Sequence, residues 1–236
     1  MIEGITSAAR SLEKSSKSIS VVSNNLANIN TIGYKRDSNF YEILGEYEQP
    51  NMLEYTDYEQ GEVLLTSDPL NFALKGDAFF VIQKGDQLLY TKDGKFSIDQ
   101  SGYLVNGEGQ KVMGQKGAIN ITESMLDENQ NITVSKNGEI KVGDTEIDTL
   151  MIAKIEEKGV LQKNSSSNFV LEEGYEHVQA DESEYEVQQG FLESSNVNAV
   201  EEMQEMIKIS KNYESAQKVV QYFDTSLEKA NEIGKV

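Results

Sequence analysis

The chain has 236 residues, with 21 Lys+Arg against 40 Asp+Glu and a formal net charge of −19. A surface this acidic repels phosphate backbones, which excludes bulk nucleic-acid binding. The chain has no cysteine and one histidine, His177, which excludes disulfides, thiolate metal sites, cysteine nucleophiles and a multi-histidine metal centre.

Residues 1–36 read as an amphipathic helix followed by a polar run. Ile5, Ala8, Leu12, Ser15, Ile19, Val22, Leu26 and Ile29 recur with alternating three- and four-residue spacing, a heptad seam. Glu13, Lys14, Lys17 and Ser18 fall opposite. From Ser23 to Thr31 the chain is rich in asparagine, which favours local backbone hydrogen bonds over helix, and Gly33 is a candidate helix end. Met1-Ile2-Glu3-Gly4 is not a basic stretch leading into an apolar one, and no apolar run nears the roughly 18 residues that cross a bilayer. Neither a cleaved signal peptide nor membrane insertion is expected.

Residues 37–68 read as a linker region. From 69 to 190 the pattern changes to short strands and tight turns. Ala78–Ile82, Leu88–Tyr90, Phe96–Ile98, Tyr103–Val105, Ile132–Val134, Glu139–Val142 and Leu150–Ile155 are candidate strands. Asn137-Gly138 carries a two-residue hairpin signal. Asn164–Asn168 reads as a polar loop, and residues 172–189 show no clear period. His177, in that acidic stretch, is expected to be a solvated side chain.

Residues 191–236 read as a second helix. Met206, Ile209, Tyr213, Ala216, Val220, Phe223, Leu227 and Ala230 alternate by three and four, and Asn196 or Asn198 is the candidate N-cap. Glu201, Glu202 and Glu205 would lie near the helix's positive end. Charge divides the same way: net +3 in 1–36, −3 in 191–236 and −19 between them. Each stripe has two readings, packing on the chain's own central domain or packing helix on helix. A two-in-seven seam is narrower than the face a globular helix buries and favours the second. The expected class is α+β: long terminal α-helices pairing as a coiled coil around a central, mainly antiparallel all-β domain.

Catalytic motifs do not complete. Gly107-Glu108-Gly109 lacks the third glycine of a dinucleotide fingerprint, and Gly109 and Gly114 are followed by Gln115-Lys116 where a phosphate loop needs Lys-Ser/Thr. Asp127, Asn129 and Asn131 imitate an EF-hand start, but Ile132 and Gly138 stand where glycine and glutamate are required. No catalytic, cofactor-binding or metal-binding residue is expected.

Four segments carry a resemblance. Asn24-Asn25-Leu26-Ala27-Asn28-Ile29-Asn30-Thr31-Ile32-Gly33-Tyr34-Lys35-Arg36 resembles the signature of bacterial flagellar rod and hook proteins, and Ser194–Met203 resembles the start of their C-terminal helix. Between them, Asp68–Val81 and Tyr90–Phe96 resemble the opening of the family's β domain, with Ala78 where the family usually has glycine. The resemblance implies an axial structural protein of the flagellar basal body, not an enzyme. It implies export through the flagellar type III apparatus without a cleaved signal. Its partners would be other copies of itself and neighbouring rod and hook proteins, polymerised into a hollow driveshaft that transmits torque to the hook. Chain length points to the rod, and the short 35–68 region points to the proximal rod, with the distal rod or a hook-type subunit as the alternative.

On this reading both seams face neighbouring subunits. So do Asn25, Asn28, Asn30, Thr31, Gly33, Tyr34, Asn196, Val197 and Asn198; for the asparagine-rich stretch an intramolecular cap and loop is the alternative. A homodimeric binding module and a wall-degrading enzyme are the competing classes.

Overall fold

The computed structural model describes residues 2–42, 51–121, 131–165 and 167–233. They form two compact units. Unit 1 takes the described residues of Met1–Ala27, Arg36–Asp57 and Val197–Val236; unit 2 takes Asn28–Lys35 and those of Tyr58–Asn196.

Unit 1 contains the two helices, α1 (Ile2–Ala27) and α2 (Ala199–Ile233). α1 stops at Ala27, inside the asparagine run, so Asn24 and Asn25 are helical and Ile29 lies outside the helix. α2 has no Gly or Pro and starts on a clean cap: Val200 N–H donates to Asn198 Oδ1 at 3.0 Å, and Asn198 Nδ2 donates to Glu201 at 3.1 Å. Asn198, not Asn196, is therefore the N-cap.

The helices run antiparallel, because Asn25 bonds Glu202 at one end and Gly4 lies against Phe223 at the other. Ala8, Ser15 and Val22 are buried on α1, and Glu202, Ile209 and Ala216 on α2, each set spaced by seven. Small residues dominate the facing surfaces: Gly4, Ser11, Ser15 and Ser18 line a groove with Asn212, Ser215 and Ala216. At 1.5 Å per residue α1 is about 39 Å long and α2 about 52 Å. The excess falls at the C-terminal end of α2, where residues 224–230 are all exposed.

The region read as a linker contains strands. Asp37–Glu42 pairs antiparallel with Asn51–Thr56 in unit 1, with Asp37 opposite Thr56 and Glu42 opposite Asn51. Val63–Leu65 pairs with Phe191–Glu193 in unit 2. The sequence Asp-Ser-Asn-Phe-Tyr-Glu has no apolar alternation, so its strand is specified by pairing and not by pattern.

Unit 2 is built on antiparallel pairs. In its main sheet the order is Leu161–Lys163, Asn168–Leu171, Gln87–Thr91, Phe79–Lys84, Lys111–Gly114, Leu104–Asn106, Phe96–Ile98. Ile152–Lys154 joins Phe79–Lys84, and Ile132–Val134, Glu139–Val142 and Thr145–Thr149 form a separate three-stranded sheet. The run Phe79-Phe80-Val81-Ile82 is continuous in apolar residues because both faces are covered. Phe80 and Ile82 enter one core with Phe72, Leu104 and Ile121; Phe79 and Val81 enter a second with Tyr90, Ala153 and Phe169. Ala78, in the glycine position of the resemblance, is buried and has no positive φ.

Three local expectations need correction. The hairpin at Asn137-Gly138 has a longer loop than two residues: Ser135 N–H bonds Glu139 O and Gly138 N–H returns to Ser135 O, both at 2.9 Å. Gly138 takes φ +83°, the left-handed position of that longer turn. Residues 172–189 are not patternless loop, since Tyr185–Gln189 pairs with Phe72–Gly76. Only Val187 of that strand is buried, so no period shows in the sequence. His177 is half-buried and not a freely solvated side chain: its Nδ1 lies 2.9 Å from the Tyr90 hydroxyl, and burial pushes the Tyr90 phenol up from its ordinary pKa. Asp127 and Asn129 lie outside the described residues.

Candidate functional site

Unit 1 gathers a polar cluster where α1 ends and α2 begins. Asn25, wholly buried, donates from Nδ2 to Asp37 O at 2.7 Å and accepts from Asp37 N–H at 3.0 Å through Oδ1. Its amide thus pairs with the backbone of Asp37 as a neighbouring strand would. The second Nδ2 proton goes to Glu202 Oε2 at 3.1 Å, so both donors and the acceptor are used. Glu202, also wholly buried, receives the Arg36 guanidinium Nε on its other oxygen. Arg36 O in turn accepts from Asp57 N–H at 2.8 Å, and Asp37 Oδ1 accepts from the Thr56 hydroxyl at 2.8 Å. One buried carboxylate therefore ties together α1, the residue after the asparagine run and the first turn of α2.

Unit 2 contains a second such cluster, built around the segment Asn28–Lys35. Thr31 N–H bonds Asn28 O at 3.1 Å, closing a turn. Gly33 takes φ +65°, and a Cβ there would collide with the Lys92 and Asp93 backbone, so only glycine seats the segment. Gly33 N–H donates to Glu193 O at 2.8 Å. Lys35 follows into the interior: Nζ lies 2.7 Å from Glu193 Oε1 and 2.7 Å from Glu59 O, and both side chains of the ion pair are buried. Gly61 N–H also donates to Glu193 Oε1, at 3.1 Å. Outside this pair, Lys163 Nζ donates to Lys35 O at 2.8 Å and stands 3.9 Å from the centre of the Tyr34 ring. Asn196 donates from Nδ2 to Glu59 O at 3.1 Å.

The residues expected at an interface fall into three groups. Val22, Asn25, Gly33, Tyr34, Val197, Ile209 and Ala216 are buried. Ile5, Leu12, Ile19, Leu26, Asn28, Ile29, Thr31, Asn196, Met206, Val220 and Phe223 are half-buried. Asn30, Asn198, Tyr213 (38%) and Leu227 (40%) are exposed. Sequence reasoning missed the buried charges Lys35, Glu193 and Glu202 and the half-buried Arg36, which do the holding. It also missed the exposed Val200, Met203, Ile207 and Tyr222 of α2. One signal was available: Glu202 lies seven residues before Ile209, on the inner stripe and not on the solvent face.

Among the described residues no group of three His, Cys, Asp or Glu is placed to hold a metal ion, and no helix is long and apolar enough to cross a membrane.

Three family descriptions match the chain in order: "Flagella basal body rod protein" at residues 5–35, "Flagellar hook protein FlgE/F/G D1 domain" at 73–142, and "Flagellar basal body rod FlgEFG protein C-terminal" at 188–233. Asn25 and Lys35 fall in the first match, Glu193 and Glu202 in the last. The flagellar basal-body rod protein FlgF of Rhizobium meliloti (strain 1021) is 30% identical over 224 residues, covering 92% of this chain and 91% of its own. The rod protein FlgG of Buchnera aphidicola subsp. Acyrthosiphon pisum is 27% identical over 270 residues, covering 99% and 100%. FlgG of Bacillus subtilis (strain 168) is 25% identical over 260 residues, covering 97% of each. With that identity sustained along nearly its whole length, the chain belongs to the flagellar basal-body rod protein family.

Proposed function

We propose that this chain is a structural subunit of the rod that polymerises with its own copies and with adjoining rod and hook proteins. α1 and α2 pack there as coiled-coil helices of the inner tube. The subunit is exported by the flagellar type III apparatus without a cleaved signal, and it catalyses nothing. Its place is the proximal rod, in keeping with the short region between Lys35 and Asp68. The observation that carries this reading is the unfinished helix pair. α2 leaves residues 224–230 without cover, and Val200, Met203, Ile207 and Tyr222 (73%) present apolar surface to solvent. Burying that surface is worth roughly 25 cal/mol per Å², stabilisation that only neighbouring subunits can supply.

Leu227→Asp tests this directly. Leu227 is exposed in the single subunit, so the change should leave the fold and its melting temperature unaltered. In the rod it would place a charge in a packed seam. The expected result is a normally folded subunit, non-motile cells and no incorporation into purified basal bodies. Normal swimming would remove α2's overhang from the assembly surface.

A further inference from the structure

The helix pair of unit 1 carries a groove along one flank and an uncovered helix end beyond it. The groove, of about 810 Å³, is lined by Gly4, Ser7, Ser11 and Ser15 of α1 and by Asn212 and Ala216 of α2. It follows α1 from Gly4 to Ser18, a length of about 21 Å at 1.5 Å per residue. At its inner end the Asn39 amide bonds the Ser18 hydroxyl at 3.3 Å. Ser15 is only 8% exposed and lines the groove, yet its hydroxyl has no hydrogen-bond partner among the described residues. A donor and acceptor held in the floor with nothing to bond calls for a polar group from outside.

The rim of this groove is basic. With 3.6 residues per turn, Arg10, Lys14 and Lys17 fall on the same side of α1 as Ser7 and Ser11. Glu3 shares that side, and across the groove Glu205 is taken by Lys208 at 3.2 Å, so the rim keeps a positive balance. This stands out in a chain of net charge −19. The other two cations of residues 1–36, Lys35 and Arg36, are already spent on Glu193 and Glu202.

The uncovered end has the opposite sign. Residues 224–230 of α2 are all exposed and span about 10 Å, which fits within the groove. Asp224 and Glu228, four apart, share one side of the helix next to Leu227, while Lys229 falls on the other. Leu227 is 40% exposed.

We propose that the α2 overhang of one subunit seats in the α1–α2 groove of a second copy, with Leu227 on the serine floor and Asp224 and Glu228 on the Arg10, Lys14 and Lys17 rim. This deepens the assembly reading above and rests on it. The carboxylates bring the acceptor that the Ser15 hydroxyl lacks. Groove and overhang are different surfaces of the same chain, so the contact is heterologous. It leaves a free groove at one end and a free overhang at the other, and grows into a ring or an open helix instead of closing as a dimer.

The chain has no cysteine, so a disulfide forms only between residues introduced for it. Ser11→Cys and Leu227→Cys are made in separate full-length chains, mixed, oxidised and digested, and the peptide linking positions 11 and 227 is quantified by mass spectrometry. Ser16→Cys, exposed on the outer side of α1, replaces Ser11→Cys as the collision control. The link from position 11 should exceed that from position 16 about tenfold, because a populated contact raises the effective concentration. Asp224→Lys with Glu228→Lys in the Leu227→Cys chain should lower it about threefold, and Arg10→Glu with Lys14→Glu in the Ser11→Cys chain should restore it. Equal links from positions 11 and 16 overturn the proposal. So does charge reversal without effect, or a link between two copies of position 227 that outruns both, the mark of two overhangs closing on each other. Any of these leaves the rod reading standing, since rods broken by deletion of the gene depend on no particular contact, and intact rods would remove that reading whatever the links show.

Discussion

Glu193→Ala is expected to destabilise unit 2 by about 3–5 kcal/mol, the cost of removing one partner from a buried ion pair. The carboxylate compensates Lys35 directly and favours the charge on Lys92. Its loss leaves two buried cations with only carbonyl acceptors nearby, and Gly61 N–H loses its acceptor as well. Lys35→Met should cost distinctly less. It removes a cation from a cluster with one too many, and Glu193 keeps the influence of Lys92. The chain has 11 tyrosines and no tryptophan, so urea unfolding can be followed by tyrosine emission. A loss in Glu193→Ala equal to or smaller than that in Lys35→Met would contradict the charge count. It would mean that Lys35 matters through its bonds to Glu59 O and Tyr58 O and not through its charge.

The second large effect is expected at Glu202. Glu202→Ala takes the carboxylate from Arg36 and one acceptor from Asn25, at a cost of about 2–4 kcal/mol to unit 1. Arg36 is partly exposed and regains water, which keeps the loss below that at Glu193. Asn25 keeps its two bonds to Asp37, so the strand end should stay attached to α1 while the first turn of α2 is released. Glu201→Ala, one residue earlier and exposed, loses only its bond from Asn198 and should cost no more than about 0.5 kcal/mol. Thermal melts at the helical dichroism band measure both. If the two substitutions behave alike, the Glu202 cluster is not what joins the helices at this end.

The helices and much of the β body were legible because each rests on a local pattern. The three-four spacing of Ile5 to Leu26 and Met206 to Leu227 fixes helix, and the Phe79–Ile82 run fixes a strand covered on both faces. Turn glycines such as Gly138 mark hairpins, although the loop there proved longer than two residues. What was not legible depends on partners far along the chain. Asp37–Glu42 and Tyr185–Gln189 are strands because of what they pair with, and their side chains show no alternation. Lys35 meets Glu193 across 158 positions and Arg36 meets Glu202 across 166. Read locally, Glu202 is a surface residue near a helix's positive end. Only the fold reveals that adjacent residues, Lys35 and Arg36, enter different units and each meet a buried carboxylate there. The asparagine run was read as an interface to neighbours or a local cap. In the single subunit Asn25 is fully used within unit 1, whereas Asn30 is exposed and open to a neighbour.

The central claim is that the chain is a rod subunit whose helices build the shaft. Its most direct test is electron microscopy of basal bodies purified from the source bacterium after deletion of this gene. The account predicts rods that are absent or broken below the hook, with the break point near the membrane if the subunit is proximal. Intact rods carrying hooks on motile cells would contradict it.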